Sequence, residues 1–392
     1  MPVRATKRGD LRTRLERDCD VLICGASFAG LAVARELAGS GARVLMVDRY
    51  EIGERQTSAC AIPTLWLEAM DLMSSERQTF DELVVHTPFR TAHWRLPWSF
   101  STFDYRELCA LMAEQAGEET EFETATVTGR KGHTVSTDRG DLRAPLIVDA
   151  LGWRRVLSNG PPIQPPDAAL SRGLEVHPPG SGREMQLWLD ANYARSGYSW
   201  SFPAGDELRV GVGSFWPEHH VKEPTVRLAR SLGVEPSGYQ GNWIPHKLRR
   251  ATEDGVFFAG DSAGHCLPVT AEGIRTAIYF GLACGREIRA VIDGVRSREQ
   301  ALATYGGFSD EHERKYRWLL GVQRGVGQAM PSRAVTALAW AVEHPALTSW
   351  SFGHYLAIAH PSFVASGGGS ISPSARESRR IPSAMAGSAR LA

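Results

Sequence analysis

The chain has 392 residues, enough for two or three structural units with a substantial core, and its 43% hydrophobic and 22% charged residues are those of an ordinary globular protein. Its 44 basic and 44 acidic side chains cancel, so nothing in the overall charge points to nucleic acid or an anionic membrane as partner. Six scattered cysteines form no CxxC pair, which argues against a disulfide framework and a zinc site and fits a reducing cytoplasm. No metal site is expected.

The N-terminus, MPVRATKRGDLRTRLERD, is basic but lacks an apolar core segment, so it does not read as a secretory signal. CDVLICG (19–25) is a short, branched, apolar run and predicts a buried parallel strand. FAGLAVARELAGSG (28–41) has helical spacing with Gly41 as a stop, and ARVLMVD (42–48) predicts a second strand. Together they form one βαβ unit whose first turn is GASFAG.

In that turn Gly25 permits a tight exit from the strand and Gly30 lets the helix pack close to the sheet. Ser27 stands where the full G-x-G-x-x-G pattern has glycine, so Ala26, Ser27, Phe28 and Ala29 would present the helix start to a pyrophosphate. Asp48 ends the next strand and can accept both ribose hydroxyls of an adenosine. The neighbouring Arg49 leaves NADP open at this point.

Further on, TATVTG, HTVSTD and DLRAPLIVDALG predict short strands between Gly and Asp turns. REMQLWLD (183–190) and ELRVGVGSF (207–215) alternate as strands of an antiparallel sheet with one buried face. VFFAG (256–260) is a third apolar strand, running into a second glycine-rich turn, GDSAGHCLPVTAEG, with a helix expected from about Thr270 to Gly273 onward. The pattern then stays helical to about 360. Residues 334–359 are greasy but interrupted by Glu343, His344 and Pro345, which predicts a pair of packed helices or an apolar face toward a lipid-like substrate or membrane. The tail from Ser366 lacks periodicity and is expected to be disordered, as are residues 1–17.

The second turn resembles the C-terminal FAD signature of flavoproteins with the p-hydroxybenzoate hydroxylase-like fold. The resemblance covers roughly residues 18–320 and implies an α/β fold: a Rossmann-like FAD-binding domain (18–160 and 245–295) interleaved with an antiparallel-sheet substrate domain (161–244), then C-terminal helices (296–365). It implies that Gly260 and Asp261 reach the ribityl or phosphate groups, and that Pro268, Gly273 and Ile274 face the flavin. A helix dipole there suits the negative charge of reduced flavin. The long cofactor thus explains two anion-facing helix starts in one chain. FDYRELCALMAEQAG (103–117) resembles the helix whose arginine, here Arg106, approaches the FAD.

Within that fold, PVTAEGIRTAIYFG resembles the geranylgeranyl reductase branch, with Ala271 where P-x-T-G-E-G-I has glycine. GYSWSFP (197–203) matches that branch's Y-x-W-x-F-P motif. Tyr198, Trp200 and Phe202 share one strand face, as a core stripe or as the wall of an apolar pocket. Cys60 stands where the branch often has a cysteine near the flavin, as a thiol or a buried filler, and His265 sits inside the second turn. Both are expected in the substrate pocket.

The function this implies is an FAD-dependent oxidoreductase acting on an apolar or aromatic small molecule. Hydride transfer from flavin N5 to a C=C bond and hydroxylation through a flavin hydroperoxide both stay open, as does a redox-neutral, carotenoid-cyclase-like reaction. A halogenase is disfavoured by the absence of W-x-W-x-I-P. No second G-x-G-x-x-G follows a strand, so NADPH or NADH would act as a transient donor, or a protein would supply electrons.

Overall fold

The computed structural model describes residues 13–56, 59–160, 170–327 and 331–366. Most of the anticipated tails, 1–12 and 367–392, lie outside the described residues. The remainder of the N-terminal stretch departs from the expectation. Leu15 is buried and its amide bonds Arg139 O, while Arg17–Asp18 pairs in parallel with Gly140–Arg143 at the edge of a four-stranded sheet.

A six-stranded sheet is ordered Thr252–Glu253, Val256–Phe258, Leu146–Asp149, Val21–Cys24, Val44–Asp48, Thr120–Thr124. All neighbours are parallel except at the 252–253 edge. The central strand Val21–Cys24 is buried throughout, as an apolar run covered on both faces should be. Helix Phe28–Leu37 packs over it and ends at Leu37, where Gly39 and Gly41 take left-handed turns.

An eight-stranded sheet holds Gln240–Pro245, Leu170–Val176, Glu207–Ser214, Gly197–Ala204, Met185–Trp188, Glu76–His86, Thr91–Phe103 and Ala61–Pro63 in that order. It is antiparallel except where Met185–Trp188 runs parallel to Glu76–His86. The long hairpin over 76–103 therefore belongs to this sheet, although the sequence assigned it to the cofactor unit. Its strands are continuous in the chain with the first unit, and only the remote pairing with 185–188 reveals their allegiance.

Helix Ile274–Ile292 lies against helix Phe28–Leu37. A Cβ on Gly281 would come within 2.6 Å of Ala29 O and 2.8 Å of the Ala32 methyl, and one on Gly285 within 2.8 Å of Val33 O. These two glycines allow the axes to close up, which brings both helix starts to the same end of the parallel sheet. The expected pair of C-terminal helices is present as Ser332–Val342 and Pro345–Leu356, broken at His344–Pro345. They rest on strand Thr91–Phe103: the Trp94 indole N–H donates to Ala339 O at 2.9 Å and its ring meets Phe352 edge-on. Among the described residues no helix is long and apolar enough to cross a membrane.

Candidate functional site

A large cavity of about 1350 Å³ runs between the parallel sheet, the eight-stranded sheet and the C-terminal helices. Small-molecule sites usually enclose about 300–1,000 Å³, so this space suits two occupants rather than one.

At one end lies the first glycine turn. Ala26, Ser27, Phe28 and Ala29 line the cavity, as do Asp48 and Arg49. Gly25 and Gly30 do not; they act behind it. Gly25 has φ +112°, and a Cβ there would overlap the Ala150 carbonyl; one on Gly30 would overlap the Gly25 carbonyl. Asp48 accepts hydrogen bonds from Ala26 N at 2.9 Å and Tyr50 N at 3.1 Å, so it braces the turn while lining the cavity. Ser27 Oγ meets Tyr105 Oη at 3.2 Å. Arg106 is exposed and stands outside the cavity wall, its backbone closing on Gly53, which does line it.

Toward the middle lies the second turn. Gly260 touches Ala29 of the first turn: an added Cβ would sit 3.0 Å from the Ala29 methyl. The helix starts at Ile274 with Gly273 as its first cap, a little later than the sequence suggested. The preceding residues cannot continue a right-handed helix, because Val269 and Ala271 hold φ of +71° and +51°. Asp261, Gly273 and Ile274 line the cavity, whereas Pro268 does not.

Three observations test whether FAD fits. Helices 28–37 and 274–292 both begin without a side-chain cap and without an acid in the first turn. By contrast the surface helices Tyr105–Gln115 and Arg298–Asp310 are capped by Asp104 and Ser297 and carry acids there. Uncapped starts leave N–H donors and a positive dipole end for an anion. Finally, Asp261 is half-buried against the cavity, and no described residue donates a hydrogen bond to its carboxylate. Burial pushes its carboxyl up to about 6, with the Arg249 guanidinium partly opposing the rise. A partly desolvated carboxylate that faces the cavity with its acceptors unused suits hydroxyl donors, which a ribityl chain would supply. The residues present fit FAD.

Beyond the turns the wall becomes apolar. Tyr198, Trp200 and Phe202 line it from strand Gly197–Ala204, opposed by Leu96, Phe100 and Ile358. The Trp200 indole lies across the neighbouring strand, where Gly211 leaves room; a Cβ there would overlap the ring. Its Nε1–H donates to Glu175 at 3.2 Å, and Glu175 is bonded to His177 at 2.9 Å. Tyr198 donates its hydroxyl to Thr270 O, tying this sheet to the second turn.

Two expected pocket residues are elsewhere. Cys60 is fully buried, its thiol is pushed up by burial, and its carbonyl accepts from Arg209; it serves the core. His265 is also fully buried, stacked on Phe280 at 3.7 Å with Nε2 at 3.1 Å from Ser309 Oγ. The left-handed kink at Gly264 turns it inward, away from the cavity.

Other contributors were not read from the sequence. Asp149 is buried and accepts from Leu151 N, Leu157 N and Ser262 Oγ, so it shapes the loop that brings Leu151, Gly152 and Arg154 to the cavity. Arg275 holds Glu272 through two bonds of 2.8 and 2.7 Å and donates to Leu356 O and Ala359 O. The stretch that carries Asp149 reads in the sequence only as a strand, and nothing local marks Arg275. No described cluster of His, Cys, Asp and Glu is arranged to hold a metal.

Residues 18–139 match the FAD binding domain family. Digeranylgeranylglycerophospholipid reductase 3 of Methanosphaera stadtmanae is 25% identical over 335 residues, covering 76% of this chain and 83% of that protein. Geranylgeranyl diphosphate reductase of Rhodobacter capsulatus is 21% identical, covering 78% and 83%. Among solved structures, a geranylgeranyl bacteriochlorophyll reductase-like protein from Thermoplasma acidophilum superposes with a TM-score of 0.77 at 17% identity, covering 90% and 99%. A probable FAD-dependent monooxygenase from Pseudomonas aeruginosa gives 0.58 at 20% identity, covering 86% and 100%.

Proposed function

From the premise that this chain is an FAD-dependent oxidoreductase with the fold of the geranylgeranyl reductase-like proteins, we propose that it reduces a carbon–carbon double bond in an apolar, prenyl-like substrate. One observation supports this reading most: the cavity that begins at two uncapped helix starts continues into an apolar chamber too large for the cofactor alone. The relatives named for geranylgeranyl substrates align with three quarters of the chain, which favours the same substrate class here.

In this reading the turn 25–30 and Asp48 hold the adenosine diphosphate end of FAD. Asp261 takes the ribityl hydroxyls, and the helix start at Gly273–Ile274 faces the flavin. Bound and reduced, FAD supplies a hydride to one carbon of the double bond. The chain's own task is to orient the alkene, exclude water and hold a proton for the other carbon. Orientation and dryness fall to the stripe of Tyr198, Trp200 and Phe202 with its apolar counterparts. Tyr198 and Cys266 both line the cavity, and burial raises both; the Tyr198 hydroxyl is committed to Thr270 O, which leaves the Cys266 thiol as the less tied of the two protonated groups. NADPH or NADH is proposed as the transient electron donor.

The test is turnover of a geranylgeranyl substrate under anaerobic conditions with NADPH, read by mass spectrometry. A product with two added hydrogens is expected. A product with one added oxygen, formed only in air, would replace this reading with hydroxylation. An isomer of unchanged mass would point to redox-neutral cyclisation.

A further inference from the structure

We propose that the mouth of the cavity docks on the surface of an anionic lipid bilayer. The proposal extends the reading above by saying where an apolar substrate enters.

Three helices border the mouth, Glu313–Gly327, Ser332–Val342 and Pro345–Leu356, and each places a large apolar side chain on its rim. Trp318, Leu338 and Trp350 line the cavity yet are 58%, 51% and 58% exposed. Solvent alone does not favour such a rim, since large apolar groups gathered around an opening mark an interaction site. The surrounding composition agrees. From Pro331 to Ser366 the sequence has only two charged side chains, Arg333 and Glu343, and Glu343 is engaged by Arg90. Solvated helices of that length usually carry several times more.

Charge selects the occupant. Arg314 and Lys315 also line the mouth, both are exposed, and neither has a carboxylate partner among the described residues. Tryptophans backed by unpaired cations match the boundary of an anionic bilayer, where the indole sits at headgroup level and the cations meet lipid phosphates. A second copy of this chain would carry the same cations to the contact, so like charges would oppose it. With no spanning helix among the described residues, the contact is peripheral. A mouth placed there would let a prenyl chain pass from the acyl layer into the apolar chamber without crossing water.

The experiment uses the full-length, FAD-loaded protein and sedimenting vesicles of phosphatidylcholine, with and without phosphatidylglycerol. Association with the anionic vesicles is expected, weakening as salt rises. Reversing both cations, Arg314→Glu with Lys315→Glu, should lower partitioning by about tenfold or more. The double change Trp318→Ser with Trp350→Ser should remove the quenching of tryptophan fluorescence by brominated lipid. Flavin content should be unchanged in both variants, because all four side chains are exposed. Absence of vesicle binding at low salt, or binding unaffected by both variants, overturns the proposal. So does a concentration-dependent dimer that the tryptophan changes abolish, since that would make the rim a contact between copies. Because the assay needs no turnover, its failure leaves the reductase reading standing, and the converse also holds.

Discussion

The two glycine-rich turns do related work by different means. In the first, the demanding backbone position is given to a residue that meets it without cost: Gly25 takes φ +112° and Gly30 allows the helix to press on the strand. Its brace, Asp48, comes from the adjoining strand. In the second, Gly260 and Gly264 take left-handed positions, but so do Val269 and Ala271, for which that conformation costs about 1–3 kcal/mol each. Long-range tethers offset this. Val269 N donates to Gln323 at 2.8 Å, Tyr198 holds Thr270 O from the eight-stranded sheet, and Arg275 with Tyr355 grips Glu272. The first turn is thus locally determined, whereas the second is shaped by the elements that enclose the apolar chamber. Its position follows theirs, so on the proposed reading the flavin end of the cofactor would respond to the state of that chamber.

The largest expected effect tests the local character of the first turn. Gly30→Val drives a branched side chain into the Gly25 carbonyl, so the variant should purify without flavin or fail to fold. The ratio of flavin to protein absorbance, with circular dichroism as control, reads the outcome; full flavin content would mean that the turn yields more readily than its geometry implies.

A smaller effect concerns the second turn. In the flavin-free protein the Asp261 carboxyl titrates near 6 because burial disfavours its anion. In the proposed site, hydroxyl donors from the cofactor would stabilise that anion, so its pKa would be lower in the complex than in the free protein. Affinity is then complete above about pH 6 and falls as the pH drops below it, by up to about tenfold per pH unit. Fluorescence titration of FAD at pH 5 and pH 7 measures this. Asp261→Asn should bind FAD more weakly at pH 7, by about 10- to 100-fold as expected for charged hydrogen bonds, and should lose this dependence on pH.

The smallest effect addresses strain. Ala271→Gly removes a left-handed penalty of about 1–2 kcal/mol, less the about 0.5–1 kcal/mol that glycine's freedom costs in the unfolded chain. A net gain of up to about 1.5 kcal/mol follows, visible as a small rise in melting temperature with flavin affinity unchanged. A loss of affinity instead would show that the strained backbone itself shapes the cofactor site.

Much of the cofactor side was legible from residues alone because its determinants are local. A strand, a turn, a helix and Asp48 follow one another within 30 positions, and glycines mark where the backbone must turn or pack closely. The alternation of Tyr198, Trp200 and Phe202 likewise states which side chains share a face, because strand geometry has a period of two. What alternation cannot say is what that face meets. Gly211 looks like any strand glycine until Trp200 is laid across it, and Gly281 with Gly285 look like weak helix positions until helix 28–37 is placed against them. Cys60 and His265 went the other way: both sit in recognised stretches, yet the backbone turns them into the core, where a small thiol and a stacked ring are well packed. The hairpin 76–103 was assigned by continuity, whereas its partner strand lies a hundred residues on. By itself, then, the sequence determined the βαβ start, the two helices that follow glycine-rich turns and the aromatic strand, since each is a matter of local backbone preference. Only the tertiary structure decided which sheet the long hairpin joins, how the second turn is held in its strained form, and where the cavity opens, because those depend on contacts between residues that the chain brings together only after it has folded.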